Sequence, residues 1–159
     1  MSAELILECL RDAGKKLIFA ESITGGLLAD VFISQPGASD VVLGSEVTYA
    51  SELKVALLGV DENVLAEKGA VSPEVAIAMA QGVCAVGQAS LDLIAGQVVA
   101  VSTTGNAGPD GDPVGLVYVG IFDGKRSKVH ELDLTGTRME IRQRTVAKAV
   151  SLLREHLGL

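Results

Sequence analysis

Apolar positions along the chain alternate between a helical period and short continuous runs. Leu5, Ile6, Cys9 and Leu10 share one helical face, so residues from about Ser2 to Ala13 form an amphipathic helix that Gly14 stops. Lys16 to Ala20 reads as a short buried strand. A turn bearing Ser22, Thr24, Gly25 and Gly26 follows. Leu27, Leu28, Val31 and Phe32 then return to helical spacing, up to about Ser34 and ahead of Pro36-Gly37. Val41 to Tyr49 is a second strand that its β-branched residues favour. Ala50 to Leu58 forms a short helix ending at Gly59, and Asp61 caps another that runs to about Lys68. Ser72-Pro73-Glu74 starts a longer helix, to about Val86, with a cap, proline at the first position and an acid in the first turn.

Residues 87 to 96 follow neither period. Val98 to Thr103 is a fully apolar third strand, and the loop from Thr104 to Pro113 is dense in turn residues. Val114 to Phe122 and Ser127 to Leu134 are strands joined by a hairpin at Asp123-Gly124. Thr137-Arg138-Met139-Glu140 fits a capping box, and a helix runs from there to about Leu157 with Ile141, Val146, Ala149, Val150 and Leu153 inward. The order argues an α/β domain, parallel in its first part and antiparallel at the hairpin. A single domain over residues 1–159 is expected.

Composition narrows the class. Apolar residues make up 48% of the chain and charged residues 21%, which fits a globular domain. Aromatics are 3% and the net charge is −7, so the basic footprint and stacking surface of a nucleic-acid binder are missing. No window is apolar enough to span a membrane, and a cytoplasmic protein is expected. Cys9 and Cys84 lack partner spacing and read as buried hydrophobes; His130 and His156 form no metal pattern. Asp110 and Asp112 lack the further ligands of a calcium loop and read as turn acids.

The chemistry concentrates where strands end. The Ser22 turn between strand and helix offers hydroxyls for an N-cap, free N–H groups and the positive end of a helix dipole, a natural place for an anion or a serine nucleophile. Glu21 beside Ser22 either orients donors there or forms an ion pair. Ser22, Tyr49 and the Thr104 loop all follow strands and gather at one sheet edge. A serine needs a base, and with no suitable histidine that base is Tyr49 or Lys54. A lysine serves when desolvation lowers its pKa. Arg138, Arg142 and Arg144 crowd the start of the last helix, where cations oppose the dipole. A bound phosphate or carboxylate explains them, as does a solvated charged face.

Ala20-Glu21-Ser22-Ile23-Thr24-Gly25-Gly26, Pro36-Gly37-Ala38-Ser39, Val47-Thr48-Tyr49-Ala50, Lys54 with Leu58-Gly59-Val60, Gly69-Ala70-Val71-Ser72, Thr104-Gly105-Asn106-Ala107-Gly108-Pro109 and Pro113-Val114-Gly115 occur in this order. Together with the arginine-rich last helix they resemble the CinA C-terminal domain family over nearly the whole chain. The resemblance implies a three-layer α/β/α sandwich with a five-stranded mixed sheet. It implies a nicotinamide-nucleotide amidohydrolase that turns nicotinamide mononucleotide and water into nicotinic acid mononucleotide and ammonia. In that light Ser22 is the catalytic serine, with Tyr49 and Lys54 as its tyrosine and lysine, and Thr104 and Arg142 bind substrate. Thr24, Gly25, Gly26, Gly105 and Arg138 join the expected substrate-binding set, with oxyanion donors near Gly25 or Gly105. No cofactor or metal is required. A small pyridine nucleotide is the expected partner, without nucleic acid or membrane, and a homo-oligomer the expected assembly. Three positions depart from the family pattern: Ile23 replaces a common cysteine, Asn106 an isoleucine, and the segment from Pro109 to Pro113 is short. A non-catalytic nucleotide-binding module, or an amidase for another small amide, are the alternatives.

Overall fold

The computed structural model describes residues 2–159. In chain order the elements are α1 (Ser2–Asp12), β1 (Lys16–Glu21), α2 (Leu27–Ile33), a 3-10 turn (Ala38–Asp40), β2 (Val42–Val47), α3 (Ser51–Leu58), α4 (Glu62–Lys68), α5 (Pro73–Ser90), β3 (Val98–Gly105), β4 (Leu116–Phe122), β5 (Ser127–Asp133) and α6 (Arg138–His156). The five strands form one sheet in the order β2-β1-β3-β4-β5. β1 pairs in parallel with β2 and β3, and the β3–β4 and β4–β5 pairs are antiparallel.

Alternation along the strands splits the core into two layers. Leu17, Phe19, Val99, Val101, Val119 and Ile121 face α1, α2 and α6, where they meet Leu7, Leu10, Phe32 and Leu153. Phe19 and Phe32 stack tilted, with ring centroids 5.2 Å apart. Ile18, Ala20, Val98 and Ala100 face the other way, onto Leu58, Val75, Met79 and Val83. Helices therefore cover both faces, giving the three-layer α/β/α sandwich. On α6 the inward residues Ile141, Val146, Ala149, Val150 and Leu153 are all buried.

Several boundaries differ from the sequence expectation, each for a local reason. β2 stops at Val47, so Thr48 and Tyr49 lie beyond it in the connection to α3. α5 continues past Val86 to Ser90 because Gly87 fits closely against the sheet: a Cβ there would meet Leu43 Cδ1 at 3.0 Å and Ile18 Cδ1 at 3.2 Å. β4 begins at Leu116 and not Val114, since Gly115 runs at φ +90° with its α-carbon against the Leu134 carbonyl, where no side chain fits. α2 starts at Leu27, several residues after Ser22 and Thr24. Its N-cap is Gly26 at φ 101°, with no side-chain cap of its own. Thr137 caps α6 by accepting from the Glu140 amide, while the Glu140 carboxylate pairs with Arg144, so only half of the capping box forms.

Candidate active site

β1, β2 and β3 run parallel, so their carboxyl ends lie at one edge. The backbone ties there are close: the Thr48 amide donates to the Glu21 carbonyl at 2.9 Å and the Ser22 amide to the Thr103 carbonyl at 3.0 Å. Ser22 is thus held between the ends of its two neighbouring strands.

Glu21 is fully buried and organises the turn that follows. Its Oε1 accepts from Thr24 Oγ1 at 2.6 Å, from the Leu28 amide at 2.8 Å and from the Gly26 amide at 3.2 Å. Its Oε2 accepts from Ser45 Oγ at 2.7 Å and from the Ala29 amide at 3.2 Å. A buried carboxylate is stable only when its oxygens are hydrogen-bonded in this way. The anion suited to the start of α2 is therefore part of the chain. This corrects the expectation that the Thr24 hydroxyl and the amides of Gly25 and Gly26 are offered to a ligand. The Thr24 hydroxyl, fully buried, is held by Glu21 and Thr103 Oγ1, and the Gly26 amide is held by Glu21. The Gly25 amide donates to the Ser22 carbonyl at 3.2 Å.

Lys54 reaches the same edge from α3. Only 1% of the residue is exposed, and its Nζ lies 3.0 Å from Ser22 Oγ, 2.7 Å from the Thr48 carbonyl and 3.2 Å from the Tyr49 carbonyl. Burial pushes the amine below its ordinary pKa, and the Glu52 carboxylate opposes that in part. A neutral amine has two hydrogens and one lone pair. In that form the two carbonyls can take both hydrogens, and the lone pair is then free for the serine hydroxyl. Ser22 itself is 8% exposed.

Tyr49 is 62% exposed, and its phenol accepts from Arg138 Nη2 at 2.8 Å instead of meeting Ser22 or Lys54. Its contribution to the serine–lysine pair is a main-chain carbonyl. That corrects the expectation of a phenol within the pair: the residue lies past the end of β2, and its side chain turns outward to α6. Arg142 folds back over the serine turn, with Nε 2.9 Å from the Ile23 carbonyl and Nη2 3.2 Å from the Thr24 carbonyl. Neither Arg138 nor Arg142 has a carboxylate partner among the described residues, whereas Arg144 pairs with Glu140.

Thr104 is buried and donates to the Ala70 carbonyl at 2.6 Å, tying β3 to the segment before α5. Gly105 sits in a tight contact. A Cβ there would meet Val117 Cγ2 at 2.7 Å and Ile23 Cδ1 at 3.0 Å, so packing and not ligand access explains the glycine. Asn106, one of the departures from the family pattern, has both ends of its amide bonded: Oδ1 accepts from the Gly108 amide at 2.9 Å and Nδ2 donates to the Pro113 carbonyl at 3.3 Å. No group of three His, Cys, Asp or Glu side chains converges as a metal site among the described residues, and none of their helices is long and apolar enough to cross a membrane.

The CinA C-terminal domain model matches residues 1–157. A CinA-like protein of Syntrophomonas wolfei is 43% identical over 157 residues, covering 96% of this chain and 36% of its own length. A putative competence-damage inducible protein of Caldanaerobacter subterraneus is 42% identical over 158 residues, covering 97% of this chain and 36% of its own. The chain thus spans about a third of the length of these relatives. Among solved structures, the competence/damage inducible protein CihA of Agrobacterium tumefaciens superimposes with a TM-score of 0.87 at 34% identity, over 99% of this chain and 94% of that one. A CinA superfamily protein of Enterobacter cloacae reaches a TM-score of 0.90 at 24% identity, over 98% of this chain and 90% of that one, a likeness of fold. Matched from its first residue almost to its last, the chain belongs to the CinA C-terminal domain family.

Proposed function

We propose that the protein is a serine amidohydrolase that removes ammonia from the carboxamide of a pyridine nucleotide, with nicotinamide mononucleotide as substrate. The observation that carries this is the buried Lys54 amine 3.0 Å from Ser22 Oγ, with two carbonyls placed to hold its hydrogens.

Ser22 Oγ attacks the carboxamide carbon while its proton passes to Lys54 Nζ. The resulting ammonium gives a proton to the leaving nitrogen, ammonia departs, and an ester to Ser22 remains. Water then attacks that ester while Lys54 again accepts the proton, and Lys54 returns it to Ser22 Oγ as the ester bond breaks and the carboxylic acid leaves. The amides of Ile23 and Thr24 donate to no acceptor among the described residues, although both residues are buried. They adjoin the nucleophile and are the donors that suit the oxyanion. The guanidiniums of Arg138 and Arg142, without carboxylate partners, suit the phosphate.

The test is ammonia release from nicotinamide mononucleotide by the purified protein and by Ser22→Ala. Turnover by the wild type that vanishes in the variant supports the assignment. No turnover by the wild type, or full turnover by the variant, removes it.

A further inference from the structure

Arg138 stands at the first position of α6, where a cation opposes the helix dipole, and its side chain is exposed. A long exposed arginine ordinarily samples many rotamers, and holding it still costs entropy. Here it is held from two sides. Nη2 donates to the Tyr49 phenol at 2.8 Å and Nη1 to the Gly108 carbonyl at 2.5 Å. Both acceptors are neutral, so the guanidinium keeps its full charge. Of its five N–H donors these two are engaged, which leaves three for another group.

Gly108 is itself fixed by a side chain that makes no hydrogen bond to Ser22 or Lys54. Its amide donates to Asn106 Oδ1 at 2.9 Å, and Asn106 Nδ2 closes the far end of the loop on the Pro113 carbonyl at 3.3 Å. The loop folds tightly on this amide: a Cβ on Gly111, at φ +94°, would come within 2.5 Å of Asn106 Nδ2. The Asn106 backbone is bonded as well, to the Leu116 carbonyl and the Gly115 amide at the base of β4. A continuous line of hydrogen bonds therefore runs from β4 through Asn106 and Gly108 to Arg138 and on to Tyr49. An apolar side chain at position 106 has no atoms to make the two loop bonds.

We propose that Asn106 is a positioning residue for substrate selection: through the stapled loop it fixes Gly108, and through Gly108 it sets Arg138 to receive the anionic end of the substrate. This rests on the amidohydrolase assignment above and adds to it the residue that determines preference for a phosphate-bearing amide. Asn106 acts only through the loop. Its removal frees Arg138 to move without altering the serine–lysine pair.

Ammonia release is measured for the wild type, Asn106→Ala, Asn106→Ile, Arg138→Ala and the Asn106→Ala/Arg138→Ala double variant. The substrates are nicotinamide mononucleotide and nicotinamide riboside, which lacks the phosphate. The expected result is a fall of about tenfold in the ratio of kcat/KM for the nucleotide to that for the riboside in both Asn106 variants, carried by KM. The double variant should be no worse than Arg138→Ala alone, since residues acting through one another are not additive. A ratio equal to that of the wild type, or losses that add in the double variant, overturns the role of Asn106 while leaving the amidohydrolase in place. Wild-type protein that releases ammonia from neither substrate removes the assignment itself. Far-UV circular dichroism checks folding, and the ratio of two substrates on one preparation is independent of the folded fraction.

Discussion

A Cβ on Gly25 would stand 3.0 Å from Nη2 of Arg142, on a backbone at φ +57°. The glycine in the serine turn and the arginine of α6 are thus fitted to each other. Any side chain at position 25 strains the backbone and makes the guanidinium give way beside the Thr24 carbonyl.

Gly25→Ala should therefore lower stability by about 1 kcal/mol from the left-handed backbone alone. It should also raise KM for the nucleotide more than it lowers kcat. Thermal denaturation and steady-state kinetics on the same variant check both parts. An unchanged KM would detach Arg142 from substrate binding.

The depressed pKa of Lys54 makes a prediction about pH. In the proposed mechanism the free amine is the active form, so kcat/KM should rise with pH through the lowered pKa and reach its plateau below 10.5, the ordinary lysine value. Stability follows the same group. Between the lowered pKa and 10.5 the unfolded chain binds the proton and the folded chain does not, so stability should increase with pH across that window. Lys54→Met should be inactive and should lack this component of the slope, as measured by denaturant titration at several pH values.

Tyr49→Phe separates the phenol from the carbonyl. The carbonyl that holds Lys54 remains, and only the contact to Arg138 is lost. The expected outcome is kcat within about threefold of wild type and a rise of several-fold in KM, the pattern of lost ground-state binding. A kcat loss of a hundredfold would restore the phenol to the proton path.

Asp123, at the β4–β5 turn, provides a control far from the chemistry. Burial alone would raise its pKa. The amides of Arg126 and Lys125, with the side chains of His156 and Arg126, outweigh that and hold it at about 2. A carboxylate depressed in the folded state contributes stability above its unfolded pKa and loses it as pH falls through the folded one. Asp123→Asn should cost about 2 kcal/mol at neutral pH. That difference should shrink between about pH 4 and pH 2, read from urea midpoints.

The sequence made the sandwich legible because its strands are apolar runs and its helices carry clear starts, as at Ser72-Pro73 and Thr137. Glu21 was less legible. A carboxylate at the end of an apolar strand looks like an ordinary charged residue, and its five partners come from β2, the turn after β1 and the start of α2. The local pattern pointed instead to Ser22 and Thr24 as caps. Lys54 was nominated by elimination and by resemblance, but its burial was not visible in a short helix of mixed polarity. Tyr49 misled because a strand that stops at Val47 reverses the expected direction of the phenol. The value of Asn106 depends on a loop whose two ends meet only in three dimensions.

Glu21 has one more consequence. Because a carboxylate of the chain already fills the mouth of α2, a second negative charge brought to that point meets repulsion. Inhibitors shaped for the serine should therefore direct any acidic group toward Arg138 and Arg142 on α6. The common nucleotide-binding arrangement, with phosphate seated on the first helix after β1, is closed to this fold by its own side chain.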